Sequence, residues 1–376
     1  VHTISTTLHF GPAHPAAHGV LRCMLSMHGE HVSSTTISLG LLHRGTEMLL
    51  ETKSVLQGIG YMDRLDYVSM VSSEIGYVQC IEHILHISTT SQEHTIRCVL
   101  MEYMRIENHL LNIACHAGDL GCLVSLLWLF EDREQLYDIV AGWCGARVHS
   151  TAIVPGGVRC TPTMDYVLHG ITAIVSTASR MDALLASTLI HRVWCSRLSG
   201  VGIIHYTDTS AVTGILLRAT GVSWDARAIN SVAMHVPLAH TIPSGIQGCS
   251  MDRIVCRAIE VLCSISCVVQ LLLLVLCYYG RWSTTSSLSL HSILSTFMQH
   301  CYNDLVDHSA VHAVEAPKGE LLVCMLWGEY RAWRARIRPA DTLHILCITT
   351  LAEGTSLADV VMLVGSVDVV FGSVDR

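Results

Sequence analysis

QEHTIRCVLMEYMRIENHLLNIACH, residues 92–116, carries Val99, Tyr103, Ile106, Leu110 and Ile113 at steps of three and four, which places them on one face of an α-helix. The same spacing runs from Tyr67 to Leu85. Asp119 is suited to cap a further helix reaching about Trp143, and Thr163 or Asp165 another over roughly 166–190. Helices are also expected at 250–279 and 288–303. Four or more long helices imply a bundle, so the expected fold class is α+β, mainly α, with a central helix bundle.

The two ends read differently. The first 35 residues hold short apolar runs, Val20 to Leu25 and His31-Val32, around the turn candidate His28-Gly29-Glu30, which predicts a small β-hairpin region. Residues 321–327, 335–338 and 357–361 mix strand and helix signals around Pro317, Gly319 and Pro339, so a small α+β region should close the chain. The expected organisation is 1–50, β-rich; 51–310, the bundle, with an irregular insertion near 200–248; and 311–376, α+β.

Composition narrows the setting. Of 376 residues only 14% are charged while 51% are hydrophobic, so much of the surface is expected to face other chains rather than water. Net charge is -8, with no basic run to follow a phosphate backbone, which argues against nucleic acid. The 16 cysteines are spread without a disulfide-scaffold spacing and read as reduced. Cys249, Cys256, Cys263 and Cys267 step along one helical stripe, a packed face rather than a metal site. Histidines such as His83, His86 and His169 read as structural. The opening VHTISTTLHF has no leader pattern, so no address is read there. Residues 261–279 are uncharged and long enough for a bilayer, but Gln270, Ser264, Ser266 and the lack of a second comparable span favour a helix buried in the bundle.

Neither Gly-x-Gly-x-x-Gly nor a P-loop occurs, so the chain is not expected to bind NADH itself. No Cys-x-x-Cys occurs, so an iron–sulfur cluster would have to come from a partner. The sharpest local feature is GPAHPAAHG, residues 11–19, where Pro12 and Pro15 disfavour a helix and leave a rigid loop presenting His14 and His18. A second concentration is LHRGTE, 42–47, followed by YMDRLDY, 61–67. Asp119 in HAGDLG reads as an N-cap. Glu102, Arg105, Glu107 and His109 share one helix, where Glu102 and Arg105 are spaced to pair. Each of these has an ordinary structural reading when taken alone.

Together with WLFEDRE (128–134), GARVHS (145–150), PGGV (155–158), SMDRIVCR (250–257), VEAPKGE (314–320) and LADVVMLVGSVDVVFGSVDR (357–376), these ordered segments resemble the quinone-reducing core-subunit family of respiratory complex I. That family is related to the large subunit of nickel–iron hydrogenases, whose fold the resemblance implies. The match is looser at Ala13, where the family usually has Gln, and at Val154, where it has Arg.

The resemblance implies that His18 and Tyr67 hold the headgroup of ubiquinone and that Asp119 pairs with His18. Reducing a quinone takes two electrons and two protons, and a phenol with an imidazole can hydrogen-bond both carbonyl oxygens and donate. It also implies that Arg44, Arg64 and His149 lie near a 4Fe–4S cluster held by a neighbouring iron–sulfur small subunit, without ligating it, and that no metal belongs to this chain. Further implied are a membrane-arm subunit at the chamber entrance and a place in the peripheral arm at the mitochondrial inner membrane, matrix side, or on the bacterial cytoplasmic side. Two rivals are a non-catalytic scaffold and a hydrogenase-like metalloenzyme; the missing cysteine pairs argue against the latter.

Overall fold

The computed structural model describes residues 5–11, 19–229, 241–279, 309–328 and 331–376. The helix expected at 288–303, and both histidines of the 11–19 loop, lie outside the described residues.

The helix Ser91–Asp119 is the axis of the molecule. Thr90 and Glu93 start it with a capping box, Glu93 N donating to Thr90 Oγ1 (3.3 Å) and Thr90 N to Glu93 Oε2 (3.0 Å). It runs for 29 residues, about 43 Å at the usual helical rise. Val99, Tyr103, Ile106, Leu110 and Ile113 are fully buried, as their spacing requires. Around this helix pack Met70–Ile84, Leu123–Cys144 and Ser250–Tyr279, with Met164–Ile190 against the last two. Both bundle helices at 164–190 and 250–277 are long and apolar enough to cross a membrane, so a second comparable span does exist. Val261, Val268, Leu271, Leu272 and Val275 are nonetheless buried against the bundle, and Cys249, Cys256 and Cys267 form the packed stripe expected of them.

The small elements follow from turn chemistry. Arg22–His28 and His31–Ser38 pair antiparallel across Gly29, and Ser5–Phe10 adds a third strand. Cys23, Leu25 and Met27 alternate inward and join Ile345, Val360, Leu363 and Phe371 in a second core, so the first sheet and the final helices Asp341–Leu351, Leu357–Val367 and Phe371–Asp375 share one interior. The other sheet is Ser309–Ala316, Gly319–Trp327 and Ala332–Arg338, antiparallel in sequence order. Gly319 turns at φ 147° where a Cβ would stand 2.5 Å from Thr213 Oγ1. Between 200 and 248 the described residues hold only a 3-10 turn, Tyr206–Ala211, and the short helices Gly214–Ala219 and Ala226–Ile229, the irregular insertion expected there.

One boundary differs from the sequence reading. Asp119 is the last residue of the long helix rather than the N-cap of the next, which begins at Leu123 after Cys122. Gly118 does not interrupt the hydrogen-bond ladder; the break comes at Gly121, whose φ of +84° suits only glycine comfortably. The histidines His83, His86 and His169 lie on the surface, whereas among the described residues His94, His109, His116 and His344 are buried.

Candidate functional site

The turn after helix Val55–Asp63 sets the position of Tyr67. Asp66 Oδ1 accepts from the main-chain N–H groups of Val68 and Ser69, both at 3.2 Å, a local loop that starts the Met70–Ile84 helix and leaves the neighbouring Tyr67 ring half exposed. Tyr67 and Asp119, 52 positions apart in sequence, line the same cleft of about 520 Å³. Leu111, Leu126, Val364 and Phe371 make its walls largely apolar, and its size lies within the range typical of small-molecule sites. An acid at the C-terminal end of a helix sits against the helix dipole, so helix stability does not account for Asp119. His18, expected opposite them, lies outside the described residues.

Behind Tyr67 is a buried set of charges that the sequence did not single out. Lys318 Nζ donates to both oxygens of Asp66 (3.1 and 2.9 Å) and to Asn108 Oδ1 (2.6 Å), and Asn108 Nδ2 donates to Asp368 Oδ2 (3.0 Å). Burial lowers the ammonium's affinity for its proton, but Asp66 outweighs this and lifts Lys318 to about 12. Burial pushes Asp341 up to about 8, with Lys318 pulling the other way. The Tyr67 phenol is raised chiefly by burial; Lys318 and, less, Arg44 pull it down, while Asp66 and Asp341 push it further up. Lys318 lies in the VEAPKGE segment, whereas nothing in the sequence singles out Asp341.

The three basic residues expected near a partner's cluster gather around the 60–67 segment. Arg44 Nη2 donates to Arg64 O (2.7 Å), Arg64 Nη1 donates to Gly60 O (2.8 Å), and His149 Nδ1 lies 3.5 Å from Asp63 Oδ2. Arg44 and Arg64 are exposed and His149 partly so. Asp63 and Glu74 are buried together, both raised chiefly by burial, with Ile153 N donating to Glu74 Oε2 at 3.0 Å.

Deeper still, the carboxylates Glu102, Asp225, Glu260 and Glu315 and the guanidiniums Arg105, Arg218 and Arg227 form one solvent-free network. Its contacts include Arg227 Nη1 to Glu102 Oε1 (3.0 Å) and Arg218 Nη2 to Glu260 Oε2 (3.0 Å). This ties the long helix, the Ser250–Tyr279 helix, the irregular insertion and the sheet edge together. Glu102 and Arg105 do pair as spaced, but in the interior rather than on a surface.

A larger cleft of about 980 Å³ lies between the Ser5–Phe10 strand and the Leu357–Val367 helix. Apart from His9, Glu30 and Ser356 its lining is apolar, and it contains neither Tyr67 nor Asp119. Among the described residues no cluster of three or more His, Cys, Asp or Glu side chains is placed to hold a metal.

A family model described as respiratory-chain NADH dehydrogenase, 49 Kd subunit, matches residues 119–376. The chain is 37% identical to an NADH dehydrogenase [ubiquinone] iron-sulfur protein 2 of Nephroselmis olivacea, over 98% of this chain and 96% of that one. It is 37% identical to the protein of that name in Arabidopsis thaliana, over 98% and 97%, and 36% identical to an NADH-quinone oxidoreductase subunit of Ehrlichia ruminantium, over 98% of each. The chain belongs to the 49 kDa subunit family of respiratory complex I. Members of this family are core subunits of an NADH:quinone oxidoreductase, so the other subunits of complex I are its partners. The mainly helical α+β fold is the one expected for the family.

Proposed function

We propose that this chain forms one wall of the quinone chamber of complex I, with Tyr67 and His18 donating protons to the reduced quinone and Asp119 orienting His18 and favouring its charged form. The observation that carries this reading is that Tyr67 and Asp119 share one largely apolar cleft of about 520 Å³. An apolar wall excludes competing water, and a phenol offers the O–H that a quinone oxygen needs. Ubiquinone is the substrate. Electrons arrive from a 4Fe–4S cluster on a neighbouring iron–sulfur small subunit, at the edge where Arg44, Arg64 and His149 gather. Positive charge there favours the reduced cluster. A membrane-arm subunit meets the chamber entrance, and the chain sits in the peripheral arm at the mitochondrial inner membrane, matrix side, or on the cytoplasmic side in a bacterium.

A photoreactive quinone analogue irradiated in the assembled complex tests the location. Labelled peptides should span Tyr67–Val68, Leu111–Asp119 or Val364–Phe371. Labelling of this chain only around the 980 Å³ cleft would overturn the assignment.

A further inference from the structure

Cys115 lines the cleft that holds Tyr67 and Asp119, as a partly exposed free thiol. The helix Ser91–Asp119 puts it there: Leu111, Asn112, Cys115 and Asp119 follow at steps of one, three and four, so one face of this helix makes a wall of the cleft. Asn112, also on that wall, is only 8% exposed. Its Nδ2 donates to Gly365 O (3.0 Å), which fixes the amide's orientation, and Oδ1 has no hydrogen-bond partner among the described residues. A buried acceptor is costly unless something brings it a donor. The wall thus carries a sulfur nucleophile and, one helical turn away, an unpaired acceptor for an O–H group.

Quinone chemistry connects the two. A quinone ring carbon that still carries hydrogen is an electrophile toward sulfur, and the product gains aromaticity by losing that hydrogen. A ring with four other substituents, as in ubiquinone, has no hydrogen to lose, so addition there reverses.

We propose that Cys115 makes the cleft a covalent trap for quinones that keep a ring hydrogen, which restricts lasting turnover to fully substituted quinones such as ubiquinone. This rests on the cleft being the quinone site proposed above. The Cys115 sulfur bonds to the ring carbon, and the S–H proton passes to one quinone oxygen. The hydrogen on that carbon then leaves as a proton and ends on the other oxygen, while the electron pair of the broken C–H bond stays in the ring. The product is a hydroquinone thioether, formed without any outside oxidant or reductant, and Asn112 Oδ1 is the acceptor offered to one of its new O–H groups. Burial, with Asp119 and Asp368 beside it, holds the thiol protonated against the pull of Arg133. A quinone passing in solution therefore meets a sluggish nucleophile, and one held in the cleft gains from proximity.

The test uses the assembled complex. Incubation with 1,4-naphthoquinone, which has two ring hydrogens, should progressively abolish decylubiquinone reductase turnover and leave an adduct on Cys115, mapped by mass spectrometry with fragmentation that separates it from Cys122. Duroquinone, whose ring carries four methyl groups, should do neither. Excess decylubiquinone should slow both effects. In Cys115→Ser the loss, taken as a fraction of the variant's own starting turnover, should be slower by at least about tenfold. An unchanged rate of loss in Cys115→Ser, or no adduct on Cys115 in the native complex, would overturn the trap; the adduct map needs no variant and decides the matter should Cys115→Ser fail to assemble. If decylubiquinone protects turnover but Cys115 stays unlabelled, only the trap fails. If Cys115 is labelled at the same rate with or without decylubiquinone, the assignment of the cleft as the quinone site fails first.

Discussion

Gly365 lies directly under Asp119: a methyl group at Gly365 would stand 3.1 Å from Asp119 Oδ2 and 3.8 Å from the His116 ring. The final helices therefore set the floor of the Tyr67–Asp119 cleft at atomic range, and a side chain at residue 365 would crowd the acid at the end of the long helix.

Gly365→Ala should fold, since the crowded atom is the end of a side chain, but it should displace Asp119 by a few tenths of an ångström. We expect kcat/KM for quinone to fall by about tenfold, short of the roughly hundredfold that a full ångström of misplacement can cost. Steady-state quinone reductase assays on the assembled complex measure this directly. Gly372→Ala differs in kind. Its methyl would meet the main-chain oxygen of Leu65 at 2.5 Å, and the Tyr67 ring at 3.4 Å, so the backbone must move and the complex should assemble poorly.

Arg97 grips Glu82 with two hydrogen bonds of 3.0 and 2.6 Å, and the same pair holds the Ile153–Val158 hairpin through Gly156 N, Gly157 O and Val154 O. Glu82→Ala leaves a buried guanidinium without its counter-ion, at a cost of about 3–5 kcal/mol. The amount of assembled complex in cells carrying the variant, compared with Glu82→Asp, should fall sharply.

Glu107 has both oxygens buried without a hydrogen bond among the described residues, and burial pushes it up to about 8, against the pull of Arg133. It is neutral in the fold at pH 7. Because its folded value is raised, the stability it carries is complete below its unfolded value of about 4.3 and is lost as pH rises to about 8. Glu107→Gln keeps a neutral side chain at every pH. The variant's advantage should widen by about 1 kcal/mol per pH unit between pH 6 and 8 and level off above, read as hydrogen-exchange protection of the Ser91–Asp119 amides against the native complex at each pH.

Much of the architecture was legible because periodicity reports burial. The spacing of Val99, Tyr103, Ile106, Leu110 and Ile113 gave the axial helix, and the Gly29 turn gave the first hairpin. Boundaries were less legible. Asp119 carries the signature of an N-cap, and only the unbroken ladder through Gly118 makes it a helix end. Buried charge was least legible of all. Glu102, Arg105, Arg218 and Glu260 have the same side chains as surface residues, and nothing local marks partners as distant as Arg105 and Glu260, 155 positions apart. Lys318 and Asp341 escaped notice for the same reason, while Tyr67 was reached through its motif alone.

The central claim is that Tyr67 gives a proton to the reduced quinone, and the most direct measurement is quinone reductase turnover of assembled complex I carrying Tyr67→Phe. Loss of the phenolic proton should lower turnover by on the order of a hundredfold, with quinone-analogue binding changed only severalfold and NADH oxidation by an artificial acceptor untouched. Full turnover with Phe at this position would contradict the account.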